Sequence, residues 1–392
     1  MLSNIRNRAK DIFSKIGYPS TKEEKWKYTS LKNFNDYESD HSSKIDYKLD
    51  KANLSKESIN IILCNGELIT KDINIDGVKI QNYEDLVSSK SSKNFLKLFD
   101  FTDNGVIAHN TSSFTDALYL SIDSGKEIDI PINIINVTSD LGSDRIIFPR
   151  VYIHINKNSS SKIYIQHIND GAGCAVNSVF EFYCESSSKL EIIQSSNLKN
   201  QELIDSIFFH QEANSQIKFL STIFGGKLYR SNMEISINGE GCNNNFGVLM
   251  LGTDKDHIDY HVNINHISGQ STNNFNCKSL LKDSSIGIFN GKILVAKGAS
   301  GTDSTLNNNN LLLSDKSEIQ SNPQLEINCE DVKCAHGFTS GNLDKDALFY
   351  LQSRGINKQD ARAILIQGFI SKLITHFDSG SLCLEKRIED WI

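Results

Sequence analysis

Short stretches of alternating apolar and polar residues recur at a fixed interval through the middle of the chain. Ser161-Lys162-Ile163-Tyr164-Ile165, Ser188-Lys189-Leu190-Glu191-Ile192 and Ser215-Gln216-Ile217-Lys218-Phe219 lie 27 residues apart, twice over. The segments before them align in the same way: Ile153 and Ile155 with Phe180 and Phe182, then with Ile207 and Phe209. Alternation with period two marks a strand with one buried face. A unit of two short strands cannot bury that face alone, but stacked units can. The predicted fold is therefore mainly β, a β-solenoid lined by Ile, Leu and Phe. A β-sandwich with chance spacing is the alternative. Further strands are expected at Met233 to Ile237, Phe246 to Leu251, His257 to His266 and Ile286 to Val295. Asn243-Asn244-Asn245 and Asn307 to Asn310 are expected at tight corners, because Asn tolerates left-handed backbone.

The ends read differently. Leu2, Ile5, Ala9, Ile12, Phe13 and Ile16 recur at helical spacing, and Gly17-Tyr18-Pro19 ends that helix. Residues 20 to 105 mix turns, a weak strand at Ile59 to Leu63 and a helix at Tyr83 to Leu98. Asp344 is placed to cap a helix through Tyr350 to Arg354, closed by Gly355. Asn357 with Asp360 starts another, with Ala361, Ile364, Leu365, Gly368 and Phe369 on one face. Ser381 would cap a last helix carrying Leu384, Ile388 and Trp391. These helices either cover the exposed strand edges at the ends of the solenoid or offer an apolar face to a partner.

Composition narrows the function. The 392 residues are 39% hydrophobic and 23% charged, room for two or three folding units with a large core. No apolar run approaches the roughly 18 residues of a membrane span, and Met1 to Arg6 has no apolar leader. A net charge of −7 speaks against a phosphate-backbone binder, and only eight of the 41 basic residues are Arg. The eight cysteines contain no C-x-x-C pair, so a reducing compartment is expected. The Gly-Lys pairs at Gly125, Gly226 and Gly291 lack the rest of a P-loop, and no G-x-S-x-G or H-E-x-x-H occurs.

Two polar clusters remain. Cys334 and His336 stand at i and i+2, so on a strand they share a face. Thiolate and imidazole suit iron, iron–sulfur or zinc, but two ligands do not close a site, so a partner chain would have to complete it. The other reading is a buried cysteine beside a hydrogen-bonded histidine. His257 and His261 look like a helical metal pair. The alternation of Ile258, Tyr260, Val262 and Ile264 instead makes this a strand, which sets the two imidazoles about 13–14 Å apart. The stretch, with Asp256, Asn265 and His266, is expected to form a hydrogen-bonded outer face.

A longer run of motifs then accumulates: Thr302-Asp303, Asn310 to Ser314, Pro323-Gln324-Leu325-Glu326-Ile327, Asp331 to Gly337, Gly341-Asn342-Leu343-Asp344 and Ala347 to Ile356. Upstream come Phe289 to Ile293, Asn265-His266, Gly17-Tyr18-Pro19 and Glu24 to Thr29. Together they resemble the SufB/SufD family of iron–sulfur cluster assembly proteins. The short length and the Gly after Cys334-Ala335-His336 resemble the SufD branch. The resemblance implies a right-handed parallel β-helix core flanked by helical ends, with a mixed region at 1–105, the core at 106–342 and a helical, ATPase-docking region at 343–392. It implies a non-catalytic cytoplasmic scaffold that pairs with a SufB-like paralogue and docks a SufC-like ATPase, where ATP hydrolysis belongs. No cofactor would be held stably. Iron or a nascent cluster would sit transiently at the shared interface, with His336 and Cys334 as metal ligands. Tyr350, Arg354, Ile364, Leu365 and Phe369 are the expected docking surface. A homodimer of the isolated chain, a self-associating SufB-like scaffold and a carbohydrate-active β-helix enzyme remain as alternatives. The chain departs from the family at Leu306, where Gln is common, and at Phe338-Thr339, where Ala-Thr is common.

Overall fold

A computed structural model describes residues 2–39, 54, 57–70, 73–89, 94–139, 142, 144–170, 173–375, 377, 382 and 384–392. It is a parallel β-solenoid of about eight coils with helices at both ends of the chain. Each coil gives one strand to each of two sheets. The first sheet stacks Leu118–Ile122, Arg150–Ile155, Ala175–Cys184, Glu202–Gln211, Leu228–Ile237, His257–His266, Ile286–Val295 and Glu318–Ile327. The second stacks Ile59–Cys64, Glu127–Ser139, Ser160–Asp170, Lys189–Asn197, Gln216–Phe224, Asn243–Gly252, Thr272–Leu281, Thr302–Leu312 and Val332–Gly341. Antiparallel pairs with Glu67–Leu68 and Val78–Gln81 finish the amino-terminal end of the rod.

The 27-residue interval holds between the second and third repeats, where Ile192 pairs with Phe219 and Phe180 with Ile207. It fails between the first and second. Ile163 pairs with Ile192, and Ile153 with Phe182, so the true step is 29 residues. The corner explains the slip. Asn158, Ser187 and Asn214 take left-handed backbone at successive corners. The next residue is a buried serine that donates to a carbonyl three residues back: Ser159 to Asn156 (2.5 Å), Ser188 to Glu185 (2.6 Å), Ser215 to Glu212 (2.8 Å). Ser159 is thus the equivalent of Ser188, and the run Ser159-Ser160-Ser161 hides this in the sequence. A two-residue slip keeps every side chain on its face, so the predicted interior survives.

The asparagine runs are not corners. Asn243 to Asn245 open one strand and Asn307 to Asn310 lie inside another. Alternate amides bond between neighbouring coils on the outer face, as Asn307 Nδ2 does to Asn276 Oδ1 at 3.3 Å. Inside the rod, Phe182, Phe209, Phe246 and Phe275 follow one another coil by coil, with ring centroids 4.6 to 6.1 Å apart.

Helix α1 (Leu2–Ile16) ends at Gly17, whose φ of +61° favours glycine. Helix α2 covers only Tyr83–Ser89, and Leu96 has left-handed backbone, so no helix reaches Leu98. Helix α3 (Gly105–Ser113) and α1 pack on the outer face of the first sheet through Ala9, Ile107, Ala108, Val179 and Phe208. The Glu24-to-Thr29 motif straps the amino-terminal segment across the same face. Trp26 lies under the Arg230 guanidinium at 4.1 Å. Arg230 pairs with buried Asp259, to which the Thr29 hydroxyl also donates. Burial alone would raise the Asp259 carboxyl, but Arg230 and His261 hold it down at about 2.

Asp344 caps α4 (Lys345–Ser353) and Asn357 caps α5 (Lys358–Ile374), as expected. Helix α6 spans Leu384–Trp391; Ser381, its expected cap, lies outside the described residues. Helices α5 and α6 do not cover the end of the rod. Ile366, Ile370, Leu373, Leu384 and Ile388 lie on its flank, against Leu220, Leu249, Leu251 and Leu280 of the second sheet. The reason is visible in the strands: the outward positions at these coils are apolar, whereas those of the last coil are not.

Candidate metal centre and docking surfaces

The last two strands, Glu318–Ile327 and Val332–Gly341, have no further strand beyond them among the described residues. The rod is open at this end, and its interior rows surface there. Cys334 continues the row of Ser304, and His336 the row of Phe275 and Leu306. Both belong to the inward register, as their i, i+2 spacing predicts. Without a coil above, Cys334 is half-buried and His336 exposed. Burial raises the Cys334 thiol, partly offset by the Ser304 backbone. Phe338 and Ile327 are 46% and 41% exposed at the same end. Among the described residues no group of three or more His, Cys, Asp or Glu side chains could hold a metal ion. Cys334 and His336 are two side chains of metal-ligand type, where a closed tetrahedral site takes about four.

His257 Nε2 lies 2.9 Å from the Thr29 hydroxyl and His261 Nε2 3.0 Å from Asp259 Oδ1, on the outer face as expected. His266 is a correction. It shares the inward register of Ile237 and Val295, is fully buried, and neither ring nitrogen has a hydrogen-bond partner among the described residues. Burial lowers its pKa to about 4. The alternation that places Ile258, Tyr260 and Ile264 inside already puts position 266 there, and only its polarity suggested otherwise.

The residues expected to form a docking surface divide between solvent and the rod. Tyr350 is 59% and Ile364 44% exposed, Arg354 lies beside the Tyr350 ring at 5.8 Å, and Leu365 is half-buried. Phe369 instead packs on the rod, its ring 4.7 Å from Lys278 Nζ. Helix α4 buries no residue at all, and Phe349, 73% exposed, was missed. The adjacent aromatics Phe349 and Tyr350 were the available signal, since one helix face cannot bury both.

The SufBD core domain of the SUF iron–sulfur cluster assembly system matches residues 136–369, and the SufBD protein N-terminal region matches residues 1–134. The chain belongs to the SufB/SufD family. It is 27% identical to the iron–sulfur cluster assembly protein SufD of Escherichia coli, over 92% of this chain and 85% of that one. An iron–sulfur cluster assembly SufBD family protein of Synechocystis is 25% identical over 97% of this chain and 89% of its own length. The chloroplastic protein ABCI7 of Arabidopsis thaliana is 25% identical over 97% and 84%.

Proposed function

We propose that this SufB/SufD-family chain is a non-catalytic scaffold subunit for iron–sulfur cluster assembly. In this reading it pairs end-on with a SufB-like paralogue through the strands ending at Ile327 and Gly341. His336 and Cys334 lend ligands to iron or a nascent cluster held transiently in the joint. The observation that carries the reading is the open rod end, where two side chains of metal-ligand type share the inward register and no third ligand joins them among the described residues. Helix α4 and the outer side of α5, through Tyr350, Arg354, Ile364 and Leu365, dock a SufC-like ATPase. The inner side of α5 grips the rod through Ile366, Ile370 and Leu373, so movement of a docked ATPase would be passed to the coils. Such coupling requires two states that nucleotide biases. No described helix is long and apolar enough to cross a membrane.

Co-expression with the paralogue and the ATPase tests this. His336→Ala should leave the complex assembled and lower its iron content; unchanged reconstitution would remove His336 from the site. Arg354→Glu with Leu365→Asp should abolish capture of the ATPase.

A second reading follows from the same open end, which a second copy of the chain could cover. Light-scattering mass of the chain alone, and mixed with the paralogue, separates the two. The carbohydrate-enzyme alternative has less support. The charged cleft of about 1060 Å³ beside α6 holds Asp256 and Asp283, but their carboxylates already bind Gly226 N and Thr253 N, and Thr253 Oγ1 and Asp254 N.

A further inference from the structure

A second, smaller groove lies between α5 and the outer face of the second sheet, enclosing about 340 Å³. Asn245, Asn274, Asn276, Asn309 and Lys278 line it from neighbouring strands, and Lys372 from the helix. Among the described residues no acidic side chain lines it. The amides are turned in a consistent sense. Asn276 Nδ2 and Thr305 Oγ1 both donate to Asn274 Oδ1, at 2.9 and 3.0 Å. Asn307 Nδ2 donates to Asn276 Oδ1 at 3.3 Å, and Thr339 Oγ1 to Asn309 Oδ1 at 2.8 Å. These bonds, one within a strand and three between coils, take up carbonyl oxygens, and among the described residues the solvent-facing amide N–H groups of Asn274 and Asn309 have no acceptor. Lys278 is half-buried under α5, where its ammonium donates to the Phe369 carbonyl. Burial and the nearby Lys372 charge both disfavour its protonated form. Two cations and free amide donors face one small space with no carboxylate among its described lining residues. Their natural complement is an anion with several acceptor oxygens. The donors come from two strands and a helix, which spreads them in three dimensions and suits a tetrahedral anion better than a planar carboxylate.

We propose that this groove is a binding site for a small tetrahedral oxyanion of the phosphate or sulfate type, held by Lys278, Lys372 and the free amide N–H groups of Asn274 and Asn309. The bound anion would tie α5 to the rod. The anion is either free in solution or the phosphate of a nucleotide.

The test is titration of the full chain with inorganic phosphate at fixed ionic strength, followed by calorimetry and by thermal unfolding. Saturable binding and a rise in Tm are expected. Lys372→Gln, an exposed position, should weaken binding about tenfold or more, as loss of a charge-assisted hydrogen bond does. Asn309→Ala, which leaves both lysines in place, should also weaken it. Lys333→Gln, on the outer face of the last strand, should not. No saturable binding, or equal binding by wild type and both groove variants, would overturn the proposal, as would acetate binding as tightly as phosphate. AMP binding more tightly than phosphate would assign the anion to a nucleotide; equal affinity would assign it to free phosphate.

Discussion

Replacing His266 with leucine should make the stability of the rod less sensitive to acid. The imidazole is fully buried between the levels of Ile237 and Val295, with no partner at either nitrogen among the described residues, and burial lowers its pKa to about 4. In the unfolded chain it titrates near 6.5. The folded state therefore resists a proton that the unfolded state accepts, and stability falls as the pH drops below about 6.5, until the folded form titrates near 4. The gap amounts to about 3.4 kcal/mol at about 1.36 kcal/mol per pH unit, of which about 2 kcal/mol is already lost at about pH 5. At about pH 7.5 the ring is neutral in both states and this contribution vanishes. Leucine has a similar volume and no polar atom to desolvate, so the variant should be about 1–2 kcal/mol more stable at neutral pH. Urea unfolding of both proteins at the two pH values measures the difference. His154, His167, His257 and His261 are also lowered by burial, but they titrate in both proteins and cancel. An equal loss of stability in wild type and variant between the two pH values would refute the reasoning.

Three further outcomes follow from the packing. Arg230→Met leaves the Asp259 carboxylate buried without its cation; a loss of about 3–5 kcal/mol is expected, with faster proteolysis in the Lys25-to-Lys27 strap that Trp26 anchors. Gly247→Val places a Cβ 3.1 Å from side-chain carbons of Leu220 and Leu373. It should cost about 1–3 kcal/mol, speed hydrogen exchange in α5 and weaken ATPase capture. Phe338→Asp, at the open end, should change the stability of the isolated chain by no more than about 0.5 kcal/mol and abolish pull-down of the paralogue.

Period-two alternation is a local property, so the inward face of each strand could be read from the chain, including His266 once its polarity is set aside. The same holds for the caps at Asp344 and Asn357, where one side chain serves the next turn of backbone. The i, i+2 relation of Cys334 and His336 was legible for the same reason, and the motifs around them carried the family. Register between coils was not fixed in this way. Consecutive coils of the first sheet differ by 26 residues (Ile207 to Met233) to 33 (Leu118 to Val151), and only the corner geometry decides which serine of Ser159-Ser160-Ser161 turns it. Tertiary structure alone decided that the asparagine runs form ladders, because an amide's partner lies about thirty residues away on the next coil. It also decided that α5 and α6 lie on the flank of the rod. That choice depends on an apolar stripe assembled from Leu220, Leu249 and Leu280 of separate coils, and it leaves Cys334 and His336 at an uncovered end.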